Sequence, residues 1–116
     1  MSIDQQFDLE NAKTQMRRGI LEFCILLIIS RGQTYASEIL SELKKADLIV
    51  VEGTIYPLLS RLKNSGYLNY DWEESPAGPP RKYYSLTKTG QAVLEQLSKN
   101  WRMLSDSIGT LKKKFK

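Results

Sequence analysis

The chain has 116 residues, with 17 Lys+Arg against 13 Asp+Glu, giving a formal net charge of +4. That is the length of one domain, and so small a cationic excess permits a nucleic-acid partner without requiring one. A single cysteine, Cys24, and no histidine exclude an internal disulfide, a zinc site and Ser-His or Cys-His nucleophile pairs.

No other grouping of acid, base and nucleophile stands out, so no enzyme, catalytic residue, metal or cofactor is expected. The start, Met1-Ser-Ile-Asp-Gln-Gln-Phe-Asp8, has no basic segment leading into an apolar one. No signal peptide is therefore indicated, and a cytoplasmic protein is expected. Residues 1–14 are expected to be a mostly polar N-terminal segment, frayed to about Asp8. A helix is predicted from Leu9 to Arg31, ended by Gly32. Its run Ile20–Ile29 is apolar nearly all round, yet far shorter than the roughly 20 residues a bilayer span needs, so no membrane is implied. Such a helix is covered on every side, partly by its own domain and partly by something else, and Cys24 within it is expected to be buried. Met16, Ile20, Phe23 and Leu27 recur at 4-3-4 spacing, a seam suited to a second helix.

Thr34 is predicted to cap the next helix, with Glu38 in its first turn and Lys44 and Lys45 in its last. Ile39, Leu40 and Leu43 supply its buried stripe. The loop from Ala46 to Val51, with room for a short extended segment, leads into Glu52-Gly-Thr-Ile-Tyr-Pro-Leu-Leu-Ser-Arg-Leu-Lys-Asn-Ser-Gly66. There Ile55, Leu58, Leu59 and Leu62 fall at i, i+3, i+4 and i+7, one stripe of a helix. Tyr56, Pro57, Ser60, Lys63 and Asn64 occupy the other side, a polar face expected to carry no carboxylate. Pro57 loses little if the helix begins near Gly53, and Gly66 is the natural stop. This face suits entry into a major groove; taken alone, it suits a solvated surface helix equally well.

After Gly66 the period becomes two. Leu68, Tyr70 and Trp72 alternate with Asn69, Asp71 and Glu73 as a half-buried strand. Ser75-Pro-Ala-Gly-Pro-Pro80 is predicted to be a turn, and Arg81-Lys-Tyr-Tyr-Ser-Leu86 the returning strand. Thr87 is predicted to cap a last helix running towards Phe115. Along it Leu97, Trp101, Leu104, Ile108, Leu111 and Phe115 are spaced 4-3-4-3-4, and this stripe is assigned to a dimer seam. Lys112, Lys113, Lys114 and Lys116 are assigned to a solvated helix end that offsets the dipole. The expected fold is mainly α with a small β-hairpin: a winged helix-turn-helix over residues 15–86, then one C-terminal dimerisation helix over 87–116.

At this point the order of residues resembles the PadR family of bacterial transcriptional regulators. The likeness rests on Glu52 to Gly66, on Gly78-Pro-Pro-Arg-Lys-Tyr-Tyr-Ser-Leu-Thr-Lys-Thr-Gly90, on Arg18-Gly-Ile-Leu-Glu-Phe with Leu27, and on Tyr35 with Ile39. It covers about residues 15 to 105. Ala36 stands where the family often has glycine after its tyrosine. With only one helix after the wing, the chain resembles the short-tailed subgroup, which includes a lactococcal multidrug-responsive repressor. In that relative a tryptophan on the last helix stacks on flat aromatic drugs at the dimer interface, and Trp101 stands in the matching place. The resemblance implies a homodimer and a small planar aromatic or cationic ligand held by Met16, Phe23, Leu27, Leu94, Leu97, Trp101 and Leu104. Leu27 and Leu97 make such a site more aliphatic than polar drug contacts would want.

The expected function is a dimeric DNA-binding transcriptional regulator, a repressor, reading a near-palindromic operator in double-stranded DNA. Helix 53–65 would enter the major groove and the wing 73–84 would lie on the phosphate backbone. Thr54, Tyr56, Ser60, Lys63 and Asn64 are the candidate contacts from the helix, with Arg81 and Lys82 from the wing. Arg61 borders the buried stripe and is assigned to an intradomain ion pair. The dimer interface is assigned to Met16, Ile20, Phe23, Leu27, Leu97, Trp101, Leu104, Ile108 and Leu111. The alternative is a winged helix serving as a protein–protein interaction module without its own operator.

Overall fold

Four helices and one antiparallel hairpin follow one another as α1 (Ile3–Ile29), α2 (Ala36–Lys45), α3 (Glu52–Asn64), β1 (Leu68–Ser75), β2 (Gly78–Leu86) and α4 (Lys88–Lys114). The computed structural model describes residues 3–48 and 50–115. Met1, Ser2, Ile49 and Lys116 lie outside the described residues. The core is assembled from the stripes that the periodicity marks: Ile25, Leu26 and Ile29 of α1, Ile39 and Leu43 of α2, and Ile55, Leu59 and Leu62 of α3, closed by Leu68 and Tyr84 of the hairpin. Each such side chain contributes about 1.5–3 kcal/mol by leaving water. Leu40 and Leu58 are half-buried against this cluster, as are Val93, Leu94 and Leu97 from the first half of α4.

Several boundaries differ from the sequence reading. The first helix starts at Ile3, not Leu9, and ends at Ile29, so residues 3–14 are helical rather than a frayed lead-in, with residues 8–14 exposed. Thr34 does not cap α2. Tyr35 holds the cap position without a side-chain bond, while Thr34 is buried and pairs by backbone with Tyr84 in both directions, at 3.1 and 2.7 Å. Two long-range backbone bonds have displaced a local cap. The loop after α2 forms no strand among its described residues; it turns through Asp47 at φ 61. Cys24 is half-buried rather than buried, and desolvation still pushes its thiol pKa up.

α3 runs one residue earlier than expected, from Glu52 to Asn64. Pro57 is therefore its sixth residue, past the four free N–H groups, and leaves the Gly53 carbonyl without its i+4 donor. Both positions are exposed to solvent. The other end matches expectation. Gly66 sits at φ 84, its N–H reaching the Lys63 carbonyl and the Tyr67 N–H reaching that of Leu62, a Schellman stop.

The hairpin covers residues 68–86, enclosing the wing assigned to 73–84, but its turn is shorter than the predicted Ser75 to Pro80, because only Pro76 and Ala77 form it. Pro79 and Pro80 belong to β2. A two-stranded ribbon has only edge strands, and the register shifts between Glu73 and Ser75, so the missing N–H groups fall where pairing is already irregular. Burial fades along β1 from Leu68 through Tyr70 to Trp72, which is exposed. Thr87 caps α4 as predicted: its Oγ1 accepts from the Gly90 N–H at 2.9 Å and donates to the Gly66 carbonyl at 2.6 Å.

Candidate nucleic-acid interface

α3 advances about 100° per residue, so its three buried residues leave the remaining sides free. On one side, the start of α2, α3 and the hairpin enclose a groove of about 450 Å³. Tyr56 and Ser60 enter it from α3 and Arg81 and Lys82 from β2, so four of the seven predicted contacts share one site. Lys63 stands beside it, its Nζ 5.7 Å from the Tyr70 ring centroid. Thr54 lies on the opposite flank, in a second cleft facing α1. Asn64 is exposed but lines neither recess.

The cations of this groove rest on rings rather than on carboxylates. Lys82 Nζ is 4.5 Å from the Tyr70 ring centroid and 5.3 Å from that of Trp72, and Arg81 Cζ is 4.4 Å from that of Tyr35. Tyr35 in turn meets Tyr83 edge-on at 5.2 Å. A cation over an exposed ring gains about 0.5–1 kcal/mol, enough to orient it while leaving its charge intact. Among the described residues, Lys63, Arg81 and Lys82 take part in no ion pair. Arg61 instead pairs with Glu22 of α1, as expected.

Sequence reasoning missed Tyr35, Ser37 and Trp72, which line the same groove. Their placement depends on the segment before α2 pairing with the hairpin through Thr34 and Tyr84, which no local pattern shows. It also missed Glu52. The outer face of α3 is not free of acid: the Tyr56 hydroxyl donates to Glu52 Oε1 at 3.2 Å. Here the i, i+4 spacing was a usable signal. Burial, and then the bond to Glu52 and its charge, raise the Tyr56 pKa, so the phenol stays a neutral donor. A carboxylate beside it suits a base amino group, such as N4 of cytosine, better than a phosphate.

The sequence model of the transcriptional regulator PadR-like family matches residues 25–96. The chain belongs to that family. A PadR-like transcription factor from Bacteroides fragilis is 51% identical, with TM-score 0.73 over 87% of this chain and 98% of that one. A PadR family regulator from Eggerthella lenta is 28% identical and superposes with TM-score 0.86 over 95% and 96% of the two chains. Bacillus subtilis PadR in complex with operator DNA shares the fold, at 23% identity and TM-score 0.62 over 67% of this chain and 46% of that one.

The residues assigned to a PadR-type dimer seam and ligand site divide into two groups. Met16, Leu27, Trp101, Leu104, Ile108, Leu111 and Phe115 are exposed apolar side chains, and Ile20 and Phe23 are half-buried. Leu94 and Leu97 instead pack on the chain's own core, and Leu94 borders a recess shared with Ile29 and Leu86 rather than with Trp101. Among the described residues no three carboxylate, cysteine or histidine groups converge as metal ligands. No described helix is long and apolar enough to cross a membrane.

Proposed function

We propose that this PadR-family chain acts as a homodimeric repressor that binds double-stranded DNA. The observation that carries the reading is the groove between α3 and the hairpin, where Tyr56, Ser60, Arg81 and Lys82 converge with their cations unneutralised. α3 enters the major groove, Tyr56 and Ser60 face base edges, and Arg81 and Lys82 lie on phosphates. The operator complex of the Bacillus subtilis relative supports this use of the fold. Two copies joined through α1 and α4 read half-sites about one helical turn, roughly 34–36 Å, apart. Footprinting upstream of the chain's own gene, with binding followed against salt, tests the reading. Tyr56→Ala should narrow the gap between operator and random DNA, and Lys82→Ala should lower the salt slope by about 1. Unchanged binding in both variants refutes the docking; salt-independent binding points to a protein-interaction module instead.

A ligand site at the two-fold is the finer part of the proposal. Trp101 is 46% exposed on the stripe that faces the partner copy, so two indoles meet there and accept a planar aromatic or cationic compound. Displacement of the DNA by that compound would make it an inducer. Trp72 provides a second fluorophore on the hairpin, away from the seam. Tryptophan quenching by a planar dye should therefore vanish in Trp101→Leu; equal quenching in both proteins makes Trp101 a packing residue.

A further inference from the structure

A helix with its side chains is about 10–12 Å across and the major groove about 12 Å wide, so a docked helix meets a phosphate wall on each flank. The hairpin serves one flank of α3. On the other, α1 and α3 enclose a cleft of about 500 Å³ into which Arg17, Arg18, Thr54 and Arg61 reach above Leu21 and Leu58. Among the described residues, no carboxylate lines it. Arg61 is neutralised by Glu22, but among the described residues neither Arg17 nor Arg18 has an ion-pair partner. Among the described residues, Arg17 donates to Thr14 Oγ1, at 3.4 Å. Both arginines lie one turn before the buried Leu21, and the i, i+3 and i, i+4 relations set them above the cleft beside α3.

We infer that Arg17 and Arg18 form a second phosphate clamp, gripping the DNA strand across α3 from the wing. The inference rests on the DNA-binding reading above and extends it to the first helix. It gives the exposed, polar half of α1 a purpose, since two uncompensated guanidinium groups, matched in geometry to phosphate oxygens, are held there at the edge of the recognition helix.

The test is the Arg17→Gln/Arg18→Gln double variant on a footprinted operator, with phosphate ethylation interference read on both strands. The slope of log affinity against log salt should fall by about 1 for each arginine lost, while the preference for operator over random DNA stays unchanged. Interference should disappear on the strand across from the wing and persist on the wing strand, with Arg81→Gln giving the opposite pattern. Arg17→Lys/Arg18→Lys should restore the slope, which a packing role would not do. A double Gln variant with wild-type slope and wild-type interference overturns the clamp. Native protein that shows interference on the wing strand alone overturns it too, leaving DNA binding intact. Native protein without salt-dependent DNA binding removes the underlying reading as well.

Discussion

The first half of α4 is tied into its own domain, and the second half is not. Thr87 caps it, Gly90 lies against the Tyr67 backbone, and Val93, Leu94 and Leu97 pack on the core. From Trp101 onward the same 4-3 stripe continues with equal regularity through Leu104, Ile108 and Leu111, all exposed. α1 is divided in the same way, but its free half is mostly polar, with Thr14, Arg17 and Arg18 around the exposed Leu9 and Met16, and its apolar half is the one that joins the core. A periodic stripe therefore reports that a helix has a partner without saying whose. A contiguous exposed apolar stripe on the free half of α4 marks an interaction surface, whereas the described side chains on the free half of α1 are mostly polar.

The sharpest way to break this contrast is to end the chain after Asn100. That removes the exposed stripe and keeps the anchored half, so sedimentation should report a monomer, and operator affinity should fall far more than binding to random DNA. A soluble truncated dimer would place the interface elsewhere. Next in size is an attack on the anchor. A Cβ at Gly90 would overlap the Tyr67 carbonyl oxygen, and the clash is with backbone. Gly90→Ala should destabilise by at least the ~1–3 kcal/mol usual for overpacking, measured by denaturant unfolding. The smallest effect should come from the free half. A Cβ at Gly109 meets nothing within 4 Å, and the residue lies off the apolar stripe. Gly109→Ala should stabilise by about 0.5–1 kcal/mol through helix propensity alone. Weakened dimerisation in that variant would widen the interface beyond the stripe.

The parts legible in the sequence were those with a local cause. The α3 stripe, its stop at Gly66 and the Thr87 cap each follow from residues within one or two turns. Three failures share the opposite cause. Thr34 has the chemistry of a cap, but its backbone is taken by Tyr84, 50 residues on. Pro79 and Pro80 look like strand breakers, and are harmless in a ribbon made only of edges. Arg81 stands out in the sequence as a candidate phosphate contact, yet nothing there places it on Tyr35. The Tyr56–Glu52 contact, by contrast, has a local cause in its i, i+4 spacing.

The Thr87 hydroxyl bonds to the last turn before the hairpin through Gly66 and to the first turn of α4 through Gly90, and the Thr87 N–H holds the Tyr67 carbonyl at 3.1 Å. One side chain thus joins the end of α3 to the start of α4. At 1.5 Å per residue, α4 is a lever of about 40 Å, so a swing of about 10° at this joint moves its tip by roughly 7 Å. If two copies pair as proposed, a force on the free half of α4 would reach α3 through this joint together with the packing of Val93, Leu94 and Leu97.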